Sequence, residues 1–190
     1  MLRKQEFWSS KDLVQYCSPG DVPHLAVSST PDEWAQQGHS LFKNKRYLQA
    51  KHCFERALLP REMDVAEAYY LRAQARATPA GIRNGATRSA AFKVAADAFV
   101  GCGASAKSER RFYYHNAAEC YARSGDDPKA AQFYEKAAEL TLATQHYRKA
   151  GLFDDAVRII ETSPDSVDKS VADTILDVAR LQWFREHNLE

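Results

Sequence analysis

Trp34, Gly38 and Leu41, followed by Ala50, Phe54 and Ala57, stand at successive gaps of 4, 3, 9, 4 and 3 residues. The same gaps return 80 residues later, in Tyr114, Ala118 and Tyr121 followed by Ala130, Tyr134 and Ala137. Gaps of 3 and 4 keep residues on one helix face, and a gap of 9 carries the chain through a tight turn into an antiparallel neighbour. The small residues Gly38, Ala118, Ala50 and Ala130 mark places of close helix approach, and the aromatic ones fill the space between pairs. A pattern repeated in this way signals stacked supersecondary units, each burying its apolar face on the next.

Two degenerate copies complete the run. Ala68, Arg72 and Ala75 lead to Ala95, Phe99 and Cys102 with gaps of 4, 3, 20, 4 and 3. That is the same unit with a loop inserted between its helices, expected from Thr78 to Arg88. Leu140, Thr144 and Tyr147 lead to Ala156, Ile160 and Ser163 with the full set of gaps, but this copy starts only 26 residues after the previous one. Its helices must therefore be shorter or nearly fused. Arg72 and Thr144 stand where the better copies carry Gly38 and Ala118.

Thr30, Pro31, Asp32 and Glu33 make a strong helix start: an N-cap, a proline at the first helical position and two acids in the first turn. Beyond it strand signals are lacking. The text reads as helices separated at Asn44–Arg46, Leu59–Glu62, Thr78–Thr87, Gly103–Lys107, Gly125–Asp127, Gly151 and Ser163–Asp165. A final helix is expected from Ser166 to His187, with Val171, Ile175, Val178 and Leu181 on one stripe. The organisation is thus residues 1–30 as a linker or docking tail, with a short helix at most over Ser10–Tyr16; residues 31–163 as helical repeats; and residues 164–190 as a terminal helix closing or continuing the array.

Composition narrows the function classes. Lys and Arg number 26 against 25 Asp and Glu, giving a formal charge of +1, so no long-range field selects a polyanion. Cys17, Cys53, Cys102 and Cys120 show no CxxC spacing, and none of the six histidines stands at ligand spacing, so no metal site is expected. The last three cysteines fall inside apolar helical patterns, where a free thiol acts as a small hydrophobe. With no signal-peptide core and no run of eighteen apolar residues, the expectation is a soluble intracellular chain, cytoplasmic or nuclear, without membrane contact.

Trp34, Gly38, Leu41, Tyr47, Ala50, Phe54 and Ala57 resemble the signature of the tetratricopeptide (TPR) repeat family. The resemblance covers Pro31 to Leu59 well and Arg111 to Glu139 fairly. It implies an all-α, right-handed antiparallel helix-pair solenoid of three to four pairs, acting as a non-catalytic protein–protein interaction scaffold. More narrowly, the stretches LAVSSTPDEW, FERALLPREMDVAEAYYLRAQAR, AAECYARSGDD and HYRKAGLFDDAVRII are similar to the repeat segment of large fungal UvrD-like helicase proteins, themselves similar to TPR and ankyrin repeat-containing proteins. On that resemblance the chain is the repeat segment without its motor.

In such repeats the first helix of each pair lines the groove, so residues on those helices but off the packing face are the expected partner contacts. They are Ala35, His39, Phe42 and Lys43 in the first copy, Tyr69, Ala73 and Arg76 in the second, and His115, Glu119, Ala122 and Arg123 in the third. Family members that clamp a terminal carboxylate use Lys and Asn on these faces; Ala35 and His39 in the first copy argue against that mode. The expected ligand is a protein or peptide.

Other chemistries fail on spacing. Gly81 to Thr87 lacks the lysine and the spacing with which a P-loop wraps phosphates, so no nucleotide or other cofactor is expected. Cys53 and Cys120 lack an activating context. Lys107, Arg110 and Arg111 precede Phe112, Tyr113 and Tyr114, a pattern also found where bases stack, but Glu109 interrupts the charge and Tyr114 has a packing role. That cluster and the run Arg72, Arg76, Arg83 and Arg88 sustain one alternative: an accessory nucleic-acid contact for an attached helicase.

Overall fold

The structure, a computed structural model, describes residues 29–79 and 85–187. The expected tail and its short helix at Ser10–Tyr16 lie outside the described residues, apart from Ser29 and Thr30. Among the described residues there are nine α-helices and no strand. They are α1 (Pro31–Lys43), α2 (Tyr47–Arg56), α3 (Pro60–Ala77), α4 (Gly85–Ser105), α5 (Arg110–Ser124), α6 (Asp127–Lys136), α7 (Leu140–Lys149), α8 (Phe153–Thr162) and α9 (Lys169–His187). A 3₁₀ turn, Pro164–Ser166, precedes α9. The all-α, TPR-like fold of antiparallel helix pairs read from the spacing is the fold these residues adopt.

The helix start at Thr30 is a full capping box. Glu33 N–H donates to Thr30 Oγ1 at 3.4 Å, and Thr30 N–H donates to Glu33 Oε2 at 2.8 Å. Two orphan amides are thereby satisfied before the first turn closes.

Five interhelix turns share one closure. After α1, α2, α5, α6 and α7 a residue takes a left-handed backbone: Lys45, Leu58, Gly125, Ala138 and Gly151, with φ of 62°, 58°, 83°, 65° and 74°. Each of these amides, and the one after it, donates back into the finished helix, as Ala138 does to Glu135 O and Glu139 to Tyr134 O, both at 2.9 Å. This Schellman-type pattern satisfies carbonyls the helix end leaves open. Helices α6, α7 and α8 are each 10 residues long and start at Asp127, Leu140 and Phe153, so one pair occupies 26 residues. The short fourth copy therefore has short helices, not fused ones.

The chain divides into two compact units, Met1–Glu67 and Ala68–Glu190, a boundary inside α3 that the sequence reading does not draw. In the first unit Trp34, Leu41, Ala50, Cys53, Phe54, Ala57 and Ala66 form the core. Gly38 matters sterically: a Cβ there would lie 2.7 Å from the Phe54 ring, and Phe54 is buried and unable to swing away. Arg56 caps the cluster, its guanidinium 4.9 Å from the Trp34 ring.

In the second unit α4 packs most extensively on α5, and each of α6, α7 and α8 packs on its predecessor; α9 covers α8 and α7. Phe92, Phe99, Ile159 and Ile175 are fully buried, each burial contributing about 2–3 kcal/mol. Glu135 on α6 ties three helices together. Tyr147 of α7 donates to Oε2 at 3.0 Å, and Arg158 of α8 donates to both oxygens at 3.0 and 3.1 Å.

Several expected boundaries shift. The second break ends one residue before Pro60, because proline suits the first helical turn. The loop expected to Arg88 is already helix from Gly85, and α4 runs past the expected break at Gly103 to Ser105. Gly103 is a contact residue: a Cβ there would lie 2.5 Å from the Tyr114 ring. The last helix starts at Lys169, three residues later than expected, because the Asp168 carboxylate accepts from Ser170 N–H at 3.0 Å and Val171 N–H at 3.3 Å. Ile175 lies in the core as its stripe predicts, but Leu181 is 69% exposed.

Urea denaturation checks these contacts. Gly38→Ala is expected to lose about 1–3 kcal/mol through overpacking against Phe54. Gly151→Ala is expected to lose about 1 kcal/mol, and Ala138→Gly to gain up to about 1 kcal/mol, since only glycine adopts the left-handed turn without strain. The hydrogen bonds from Arg158 hold the Glu135 carboxyl below its ordinary value of 4.5. A carboxyl lowered by folding contributes stability above that pH and loses it as pH falls. Acid titration of Glu135→Gln is therefore expected to show a shallower loss of stability below pH 4.5 than the parent chain.

Candidate functional site

Within the second unit one unusual side chain, Arg72, bridges α3 to α5. Arg72 occupies a place where neighbouring copies have a small residue, and it is only 13% exposed. Its guanidinium donates to Asn116 Oδ1 at 2.5 Å and stands 3.9 Å from Glu119 Oε2. The group lies 4.6 Å from the Tyr69 ring and 5.2 Å from the Phe99 ring, so cation–π attraction supplements the polar contacts. Asn116, itself buried, donates to Phe112 O at 2.8 Å. The degenerate second copy thus replaces close backbone packing with a satisfied cation bridging α3 to α5.

Beside this bridge a cleft of about 440 Å³ opens between α5 and α7. Glu119, Ala122 and Arg123 come from α5, Asp127 and Tyr134 from α6, and His146 and Lys149 from α7. His146 Nδ1 lies 2.7 Å from Asp127 Oδ1, and its ring stacks on Tyr134 with centroids 5.3 Å apart. Burial pushes the Tyr134 hydroxyl up to about 12 and the thiol of Cys120, on α5, up to about 11, so both stay protonated at neutral pH. Both acids of the cleft face internal cations or imidazole. Among the described residues Arg123 and Lys149 have no carboxylate partner.

A second cleft, of about 490 Å³, lies on the other side of Arg123. Arg88 and Arg123 approach the Phe92 ring to 5.7 and 6.0 Å, and Ser89 Oγ donates to Ser124 O at 2.6 Å. No acid lines it.

The expected contact residues are placed as follows. In the first unit His39 and Lys43 are exposed, with the His39 ring 5.0 Å from Phe54. Ala35 and Phe42 are half-buried against the core, Phe42 lying 5.2 Å from Tyr47. In the second unit Tyr69 is half-buried against Phe99 at 5.3 Å, and Ala73 and Arg76 are exposed. His115 lies 5.8 Å from Tyr134 and 3.8 Å from Glu139. Glu119, Ala122 and Arg123 come together in the α5–α7 cleft.

Asp127, Tyr134, His146 and Lys149 join them without having been singled out as contacts. One signal could have found Lys149. It stands nine residues after Leu140, as Lys43 stands after Trp34 and Arg123 after Tyr114, so the same helix position carries a cation in three copies. Among the described residues no group of three or more His, Cys, Asp or Glu could hold a metal. No helix among them is long and apolar enough to cross a membrane.

Removing the bridge's acceptor tests its weight. Asn116→Ala leaves the Arg72 cation short of a partner, and the expected loss is about 1.5–3 kcal/mol by chemical denaturation.

No curated protein and no solved structure matches the chain. The family profile described as tetratricopeptide repeat matches residues 114–146, beginning at the first residue of the third copy and ending on α7. Tetratricopeptide repeats generally mediate protein–protein interaction and are typically non-catalytic, and residues 114–146, which carry Glu119, Arg123 and His146, match that family.

Proposed function

We propose that the chain is a non-catalytic protein–protein interaction module whose second unit receives a short acidic peptide segment between α5 and α7. One observation carries the reading. The cleft's acids, Glu119 and Asp127, face Arg72 and His146, while Arg123 and Lys149 are exposed and have no carboxylate partner among the described residues. A partner's Asp or Glu side chains complete that arrangement, and the Tyr134 and His146 rings give an apolar floor for the peptide between them. Tyr69, Arg76 and His115 extend the contact surface on the same unit, and Ala35, His39, Phe42 and Lys43 form the corresponding surface of the first.

The resemblance of the quoted stretches to helicase-associated repeats supports a place within or beside a large helicase-like protein, in the cytoplasm or nucleus. A second reading, an accessory contact to nucleic acid, draws on the cleft where Arg88 and Arg123 are the charged lining residues among those described. Arg72, the first member of the basic run behind that alternative, is committed internally to Asn116 and the two rings.

Fluorescence anisotropy separates the readings. A labelled Glu/Asp-rich peptide is expected to bind, its Gln/Asn analogue to bind at least tenfold more weakly, and Arg123→Glu with Lys149→Glu to lose about tenfold or more, two reversed contacts of about 1 kcal/mol each. A single-stranded oligonucleotide binding more tightly than the peptide, with the steep salt dependence of counterion release, would reverse the order of the two readings.

A further inference from the structure

The solvent side of α9 carries large apolar side chains that none of the described residues covers. Leu181 is 69% exposed and Phe184 54%. Helical spacing puts Thr174, Asp177, Leu181, Phe184 and Arg185 on one face, since they follow one another at 3, 4, 3 and 1 residues. The opposite face carries Ala172 and Ile175, which are buried. Trp183 belongs to that second face but is itself 55% exposed, stacking on His187 with centroids 4.3 Å apart and meeting the Phe184 ring at 5.4 Å, so the last turns of α9 project beyond the core and carry the Leu181 face with them.

The charges around Leu181 are arranged with opposite signs. Asp177 stands four residues before it and Arg185 four residues after it. Asp177 is exposed and is approached within its own helix by Arg180 at 3.4 Å, a contact of little worth in solvent. When two copies of this helix lie antiparallel with Leu181 against Leu181, Asp177 of each comes level with Arg185 of the other, and Phe184 of each comes level with Val178 of the other. A parallel pairing would set Asp177 beside Asp177. The face is therefore complementary to itself under a two-fold axis, the requirement for a closed isologous dimer.

We infer that α9 is a self-association surface and that two copies of this chain dimerise through antiparallel contact of their Leu181–Phe184 faces. The apolar area is small, so the dimer is weak, with a Kd on the order of tens of micromolar. The occupant of the surface is a second copy, and the peptide cleft at Arg123 is a different surface of the same unit, so neither reading depends on the other.

Sedimentation velocity of the full chain across a concentration series tests this. The parent chain is expected to shift from one to two chains per particle as concentration rises. Leu181→Glu, and separately Phe184→Ser, are expected to raise the dissociation constant at least tenfold with unchanged far-UV circular dichroism, as suits exposed positions. Asp177→Arg is expected to weaken the dimer about tenfold, and adding Arg185→Asp to restore it to within about threefold. A parent chain that stays a single chain throughout overturns the inference and leaves the face to residues 1–28 or to another protein. A dimer indifferent to Leu181→Glu and Phe184→Ser overturns it as well, and a double variant no tighter than Asp177→Arg alone overturns the antiparallel register.

Discussion

Reversing a helix within three residues requires one backbone to cross into the left-handed region, and much of this architecture follows from meeting that requirement repeatedly. Lys45, Leu58, Gly125, Ala138 and Gly151 make the crossing, and two return hydrogen bonds close each turn. With the reversal fixed, consecutive helices lie antiparallel and their small residues come opposite aromatic rings. Two of the five crossings use glycine. The other three carry side chains and hold a strained conformation because both flanking helices are packed.

Close approach is achieved by two chemically different means. At Gly38 and Gly103 the backbone carries no Cβ, and a Phe54 or Tyr114 ring occupies the vacated space. At Arg72 the small residue is missing, and a guanidinium held by Asn116, Glu119 and two rings spans the gap instead. The first solution depends on shape alone. The second depends on every polar partner staying in place, which makes the α3–α5 contact more sensitive to single changes than the apolar ones. It also aligns Glu119 for the cleft, so a structural irregularity and the candidate site share a residue.

The spacing made pairing and core legible, because gaps of 3, 4 and 9 encode face and reversal directly: Trp34, Leu41, Phe54, Ala118, Tyr121 and Tyr134 are all buried. The reversal at Ala137–Glu139 is not among the breaks read, because Ala138 makes its left-handed turn without a glycine or proline. Boundaries were less legible where a residue has two uses. Gly103 reads as a breaker but is a contact, and Pro60 reads as a stop but begins a helix. The cleft was visible only in part. Glu119 and Arg123 follow from their position on a first helix, whereas the pairing of His146 with Asp127 joins α7 to the start of α6 and leaves no periodic trace. Asn116 was missed for a similar reason: its partner, Arg72, lies 44 residues away.

Because each turn is closed by bonds to the helix just completed, most stabilising contacts in the second unit from α4 to α9 connect segments adjacent in the chain. Topologies of that kind need little loop closure before a contact is rewarded, and they form quickly. They also have no single keystone: a helix pair can detach while its neighbours persist, and stability is a sum over interfaces that frays from the ends inward. From α5 to α9 the packing of α9 on its predecessor is the least extensive, so the α8–α9 contact is the weakest link of that run. Anything covering α9 would act at a distance on the whole unit, by reinforcing that link.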